Sequence, residues 1–401
     1  MKKASFPFKS IGIIGGGQLG KMLTIEAKRM GFRVIALDPD PDCPVSHLCD
    51  ELIVGSLYDE GALKKLVEKS DVVTYEIEHV NVKVLIDLYN KGYEIQPSPH
   101  ILETISDKVA QKEFLTSHGL PTPYIFKVDL SKSEDLEDMK SLLDKNNITF
   151  PFVQKTRRGG YDGRGVFVVK NVSDLKNIMK AESYIEEFVH VEKELSVLVA
   201  RNKSKEVKIY DVVEMVFDKN SNILDYLISP ARISENISSK AKQLAVEVVS
   251  KFDGVGVFAI EMFLLEDGDI LINEIAPRVH NSGHHTIESC FTNQFQQHIR
   301  AICNLPLGST HQHSPAVMIN LLGEDGYKGG PIIENFDEIF KIEGAHLHFY
   351  GKSQTFPKRK MGHVTIVDKD LERAIEKARY LKEKIRILGS EKLNSNNAYN
   401  T

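Results

Sequence analysis

Two glutamates stand at matched distances from a turn in the stretch Ala259–Ala276, AIEMFLL-EDGD-ILINEIA. A two-residue turn at Asp267-Gly268 has type I′ hairpin chemistry. Counting outward from it sets Glu261 opposite Glu274, and strand alternation points both side chains to one face. Like charges so placed repel, and a carboxylate among apolar neighbours favours its protonated form unless positive charge is near. A divalent cation, Mg2+ with Mn2+ as a substitute, answers both problems and takes its other ligands from phosphate oxygens. A Lys or Arg from elsewhere pairing with one Glu is the competing reading.

Further constellations surround this one. In PFVQKTRRGGYDGRGVFVV, Lys155 ends an apolar strand, a loop with four glycines follows, and a new strand begins at Val166. Backbone N–H groups of such a loop, with Lys155, Arg157, Arg158 and Arg164, can cradle a polyphosphate. After the hairpin comes Arg278-Val279-His280-Asn281-Ser282-Gly283-His284-His285. Arg there can hold a small oxyanion bidentately. A three-histidine zinc site competes, but the loop lacks cysteines and HExxH spacing. In Tyr184–Val189 the adjacent Glu186 and Glu187 point to opposite strand faces, so either one faces a pocket and the other water, or both are solvated at an exposed strand end. Glu194 carries the same ambiguity.

The run Gly15-Gly16-Gly17-Gln18-Leu19-Gly20 follows a strand, opens a helix and has Asp38 about 20 residues on, as in a dinucleotide fingerprint. Another phosphate ligand, or glycines serving only a tight turn, fits equally. Ligands of parallel sheets sit beyond the strand ends, which groups Gln18, Asp38 and Glu76 at one crevice. Lys352 and Lys358-Arg359-Lys360 form a basic patch or a solvated edge.

The elements that must position these groups alternate at first. Strands at 11–14, 33–38, 51–54 and 71–75 are separated by helices from Leu19 and near 59–69, which predicts a parallel sheet covered on both faces. The QPSP segment 96–99 closes this unit. A helix at 107–118 stops at Gly119, before Pro121 and Pro123. Short strands and turns fill 150–230, with a helix near 173–180, and a helix at about 240–251 precedes the hairpin. From Pro315 the chain reads mostly β, ends in a helix near 371–384 and closes in a polar tail. The expected division is 1–106, 107–305 with a small lid at about 125–190, 306–390, and a tail 391–401.

With 401 residues, 42% apolar and 27% charged, the chain has ordinary globular composition. Net charge is −5 without a basic run, which speaks against nucleic acid and anionic membranes as partners. MKKASFPFKS has no signal-peptide core, and no window reaches the ~18 apolar residues of a spanning helix. Cys43, Cys49, Cys290 and Cys303 show no CxxC spacing, so free thiols and a cytoplasmic location are expected.

Three stretches, GGGQLGKM (15–22), KTRRGGYDGRG (155–165) and LINEIAPRVHNSGH (271–284), closely resemble the ATP-grasp carboxylases of purine synthesis. VMINLLG (317–323) and KRKMGH (358–363) extend the likeness over nearly the whole chain. The resemblance implies an α/β and α+β ATP-grasp fold with a Rossmann-like N-terminal domain and a small β-rich C-terminal segment. It implies a carbon–nitrogen ligase that joins ATP, bicarbonate and 5-aminoimidazole ribonucleotide into N5-carboxyaminoimidazole ribonucleotide, ADP and phosphate. It also implies a homodimer.

By that resemblance Lys108 and Lys155 meet ATP phosphates under the loop Gly160, Tyr161, Asp162, Gly163, Arg164, Gly165 and Val166. Glu186, Glu187, Phe188 and Val189 line adenine, Glu194 holds the ribose, and Asn273 lies beside the metal ligands Glu261 and Glu274. Arg278, His280 and Asn281 surround bicarbonate, and Asp162 is the candidate base. Gln18, Leu19, Glu76, Tyr161, Arg164, Lys352, Arg359 and Lys360 recognise the ribonucleotide. The family shows Glu-Asn-x-His where this chain has Glu214-Met215-Val216-Phe217, which puts one nucleotide contact at Phe217 in doubt. A formate-dependent glycinamide ribonucleotide transformylase is the alternative, but it has Glu where this chain has Gln18. An NAD-dependent oxidoreductase rests on the first glycine motif alone.

Overall fold

Apolar, β-branched runs bounded by turn residues form β1 (Ser10–Ile14), β2 (Arg33–Asp38), β3 (Glu51–Val54) and β4 (Val72–Tyr75). They make a parallel sheet in the order β3-β2-β1-β4. This computed structural model describes residues 10–160, 165–217 and 224–393. Tyr161, Asp162, Gly163 and Arg164 lie outside the described residues.

Helix α1 (Gln18–Arg29) buries Leu19, Met22, Leu23 and Ala27 along one stripe. Asp59 caps α2 (Glu60–Lys69) by accepting from the N–H of Ala62. Helices α3 (Val82–Asn90), α4 (Pro99–Ser106) and α5 (Lys108–Ser117) lead to the next layer, with Asp107 capping α5. There β5 (Ile125–Phe126), β6 (Phe152–Thr156), β7 (Val166–Val169) and β8 (Ser183–Glu187) form an antiparallel sheet, order β5-β8-β6-β7. Helix α6 (Leu136–Lys145) packs Met139 and Leu143 beneath it.

The remaining strands are β9 (Val191–Arg201), β10 (Val207–Ile209), β11 (Val213–Phe217), β12 (Leu224–Ser229), β13 (Gly256–Leu265), β14 (Ile270–Ala276) and β15 (Ala316–Leu322). After them come β16 (Tyr327–Glu334), β17 (Ala345–Phe349), β18 (Lys360–Val367) and β19 (Arg386–Lys392). A nine-stranded sheet runs β14-β13-β9-β11-β12-β15-β18-β17, with β10 beside β9, while β16 pairs with β19. The C-terminal strands therefore extend the central sheet through the β12–β15 pairing. Helix α7 (Glu235–Lys251) lays Ala241, Ala245, Val248 and Val249 on Val197, Val199, Phe258 and Ile260.

Several expectations are corrected. The helix expected from Lys240 starts at Glu235, where Ser234 caps it. The helix expected near 173–180 is a 3-10 segment, Val172–Asn177. Glu391 and Lys392, assigned to a polar tail, pair with Lys328 and Tyr327 as the end of β19. The helix Gln294–Ile302 had no readable apolar stripe, because it buries Gln294, Gln297 and His298 alongside Phe295, Ile299 and Ile302. Among the described residues no helix is long and apolar enough to cross a membrane, and all four cysteines are free.

Candidate active site

The β13–β14 hairpin pairs Glu261 with Glu274, and both side chains line a cavity of about 690 Å3. The turn is not the two-residue one that the sequence suggested. Leu265 N–H bonds Asp269 O and Gly268 N–H bonds Leu265 O, both at 2.9 Å, so the loop is Glu266–Gly268, with Gly268 at φ +86°. Such a loop needs a residue in the left-handed region, which glycine supplies. It shifts the register by one, and a bulge at Asn273, between the Met262–Ile272 and Glu261–Glu274 pairs, shifts it back. Two one-residue departures cancel, and the glutamates meet. β14 ends the sheet, and its outward N–H groups are covered: Ile272 bonds Pro121 O at 2.8 Å and Ile275 bonds Gln111 Oε1 at 3.1 Å.

The two acids differ electrostatically. Lys108 Nζ lies 2.7 Å from Glu274 Oε1. Burial works against the Glu274 charge, but Lys108, with Lys155 and Lys112 further off, outweighs it and holds this carboxyl below its ordinary range. Glu261 has no such partner, and burial, then Glu274 and Glu194, push it up to about 8. One lysine thus balances one carboxylate and leaves the pair short of positive charge. Among the described residues no cluster of three or more His, Cys, Asp or Glu could hold a metal by itself. Two carboxylates that need outside ligands fit a hard divalent cation brought in with phosphate oxygens.

Lys155, at the end of β6, donates to Glu186 Oε1 at 2.6 Å and to the bulge residue Asn273 at 3.1 Å. Lys112 approaches Glu186 Oε2 at 3.2 Å from below. Burial opposes the Glu186 charge, yet the two lysines hold its carboxyl low. Burial also brings Lys112 down to about 8. Glu186 is thus the inward acid of its pair; Glu187 is exposed and accepts from Tyr124 N–H at 2.7 Å. Phe188, Val189 and Glu194 line the same cavity, and burial pushes Glu194 up to about 7. Phe217 packs with Met215 and Leu224 as an apolar wall, so it offers contact area without a hydrogen bond. Gly160 and Val166 flank the cavity, while Gly165 O accepts from Thr156 N–H at 2.8 Å. Arg157 and Arg158, expected to charge the phosphate loop, both donate to Asp107, the cap of α5.

Beyond β14, His280 is fixed by its backbone: its N–H bonds Gln294 Oε1 at 2.9 Å and its O accepts from Gln294 Nε2 at 2.7 Å. Sequence reasoning missed Gln294, and a buried glutamine gives no periodic signal. Ser282 N–H donates to His280 Nδ1, which places the ring proton on Nε2, 3.6 Å from Glu261 Oε1. Burial, then Arg278 and Lys360, keep this imidazole neutral. Asn281 donates to Asn320 Oδ1 at 3.2 Å, and its own buried Oδ1 has no protein partner. Arg278 lines the cavity and is clasped by Glu78. The other histidines turn away: His284 packs on Phe295 and His363, and His285 bonds Ser289. They do not build the three-histidine zinc site.

The first glycine turn is filled by the protein itself. Glu76 accepts from the N–H groups of Gly17 and Gly20, where a dinucleotide's pyrophosphate would lie, and Asp38 accepts from Gly16 N–H at 2.7 Å. Both the dinucleotide reading and the free-phosphate reading of this turn are therefore set aside. A Cβ on Gly20 would stand 2.5 Å from Gly15 O. Gly20→Ala should cost about 1–3 kcal/mol, read as a lower thermal midpoint in calorimetry.

Leu19 packs in the core, so its side chain does not reach the cavity, while Gln18 is partly exposed at the start of α1. Lys21 donates to Phe349 O at 3.0 Å and Tyr350 O at 2.9 Å, holding the segment before Lys352 against α1. Lys352 bonds Lys360 O at 2.8 Å, Arg359 bonds Gln354 O at 2.8 Å and lies over Phe356, and Lys360 lines the cavity. Of Lys352, Arg359 and Lys360, the lining of the cavity that holds the glutamate pair includes Lys360.

Residues 8–106 match the ribonucleotide synthetase preATP-grasp domain, 113–295 the ATP-grasp domain, and 316–377 the phosphoribosylaminoimidazole carboxylase C-terminal domain. The chain is 38% identical over 371 residues to N5-carboxyaminoimidazole ribonucleotide synthase of Bacillus subtilis (strain 168), covering 91% of this chain and 93% of that one. It is similar to the crystal structure of N5-carboxyaminoimidazole ribonucleotide synthetase from Thermotoga maritima, with 53% identity, TM-score 0.87, and coverage of 95% and 100%. It is also similar to the Aspergillus clavatus synthase in complex with ADP and 5-aminoimidazole ribonucleotide, with 33% identity, TM-score 0.84, and coverage of 94% and 99%. The chain belongs to the N5-carboxyaminoimidazole ribonucleotide synthase family of ATP-grasp ligases.

Proposed function

We propose that this chain carboxylates 5-aminoimidazole ribonucleotide with bicarbonate at the expense of ATP, releasing N5-carboxyaminoimidazole ribonucleotide, ADP and phosphate. One observation carries the reading: a facing pair of glutamates shares a cavity with Lys108, Lys155, Arg278 and His280. Lys108 and Lys155 take the ATP phosphates, under the loop Gly160–Val166. Glu186–Val189, Phe217 and Glu194 receive the nucleoside, with Asn273 beside the phosphates. Glu261 and Glu274 hold Mg2+, which when bound neutralises phosphate charge and polarises the transferred group.

In this reading Arg278 and the neutral His280 hold bicarbonate so that its oxygen faces the γ-phosphoryl group, with Asn281 on the same cavity wall. Lys155 offsets charge on the γ-phosphoryl oxygens as that group passes from the leaving ADP to the bicarbonate oxygen. Closure of the cavity over its substrates would keep water from carboxyphosphate and the CO2 it yields. The substrate amine then attacks CO2, and Asp162 takes its proton. Gln18, Leu19 (by backbone), Glu76, Tyr161, Arg164, Lys352, Arg359 and Lys360 hold the ribonucleotide.

The reading includes domains at 1–106, 107–305 and 306–390, a homodimer and a cytoplasmic location. Omitting ATP, bicarbonate or 5-aminoimidazole ribonucleotide in turn should each abolish phosphate release. Turnover with formate and glycinamide ribonucleotide instead would favour the transformylase.

A further inference from the structure

We propose that Glu78 is a positioning residue that fixes which edge of the Arg278 guanidinium faces the cavity, and so sets how the site holds its small oxyanion. This rests on reading Arg278 as the bicarbonate group. Glu78 lies on the loop between β4 and α3, in the N-terminal layer, whereas Arg278 follows β14 of the central sheet. Arg278 Nε donates to Glu78 Oε1 at 2.8 Å and Nη2 to Oε2 at 3.1 Å, while Nη1 donates to Val279 O at 3.1 Å.

Of the five guanidinium N–H donors, three are committed. The remaining two, one on each terminal nitrogen, are those left for a ligand. A bidentate clasp fixes the plane of the guanidinium as well as its place. Glu78 is itself held, since its O accepts from Val80 N–H at 3.0 Å and Leu57 O accepts from Asn81 N–H at 3.1 Å. Two residues earlier, Glu76 occupies the amides at the start of α1. One short stretch thus orders both the glycine turn and the oxyanion arginine.

The full chain carrying Glu78→Ala, Glu78→Gln or Arg278→Ala is assayed for phosphate release against bicarbonate and against ATP. Glu78→Ala should raise the bicarbonate KM roughly tenfold or more and leave the ATP KM within about twofold. Glu78→Gln, which keeps the shape and one acceptor, should recover part of that loss. In an Arg278→Ala background, adding Glu78→Ala should change the bicarbonate KM little further.

An unchanged bicarbonate KM in both Glu78 variants overturns the proposal. So does an equal rise in both KM values with a lowered thermal midpoint, which would make Glu78 a strut between layers. Should the wild-type chain release phosphate without needing bicarbonate, the underlying reading of Arg278 fails before Glu78 is tested.

Discussion

Glu274→Ala should lower ATP-dependent phosphate release by roughly 100-fold or more, the scale of losing one electrostatic group from a phosphoryl-transfer site. The variant removes one of two facing carboxylates and leaves Lys108 without the acceptor it holds at 2.7 Å. Glu274→Gln keeps the shape and should lose nearly as much activity, because the charge is what a divalent cation requires. Glu261→Gln separates activity from stability. In the metal-free chain Glu261 is pushed up to about 8 from an ordinary 4.5, so the folded protein holds a proton that the unfolded chain has released. Stability then falls as pH rises between those values. A neutral amide removes that loss, so Glu261→Gln should fold as well or better at neutral pH while phosphate release collapses. Steady-state rates across a Mg2+ titration, with thermal midpoints in chelator, read both effects. Mg2+ dependence unaltered in either variant would contradict the assignment of the pair to the metal.

Lys155→Met should be the most damaging lysine substitution. Glu186 is buried between Lys155 and Lys112, and removing one cation leaves a desolvated carboxylate with a single weaker partner. Breaking a buried ion pair from one side costs about 3–5 kcal/mol. The Phe263 ring beneath Lys155 and the Asn273 contact are lost as well. Lys155→Met combined with Glu186→Gln removes the stranded charge and should regain most of the stability, as a double-mutant cycle by denaturant unfolding will show. ATP affinity should stay low in both, since the ammonium proposed to meet the phosphates is gone. An ATP affinity recovered in the double variant would place the phosphates elsewhere.

What could be read from the chain depended on how local the cause was. The turn from β1 into α1 and the opposite strand faces of Glu186 and Glu187 follow from neighbours a few residues apart and were legible, whereas which acid turns inward was open, because Lys155 and Lys112 meet Glu186 from other elements. Glu76 was placed beside the glycine turn by the strand-end rule, but that its carboxylate fills the turn's amides was not legible, because Glu76 arrives from the end of another strand. Lys112 and Glu78 were missed for the same reason: their partners lie far away in sequence, at Glu186 and Arg278. The only local hint was the i, i+2 spacing of Glu76 and Glu78. β19 was hidden because its charged end pairs with a strand on the far side of a helix. The glutamate pairing was anticipated with the right partners through a wrong turn.

That coincidence bears on anyone editing or aligning this ribbon. Its tip can be shortened or lengthened, and the two acids stay matched as long as the pairing from Leu265–Asp269 inward is kept. Deleting Asn273 would also leave them matched, but would remove the local twist and the amide that meets Lys155. Counting from the loop therefore gives unreliable correspondence between related chains, whereas counting from the acids themselves does not.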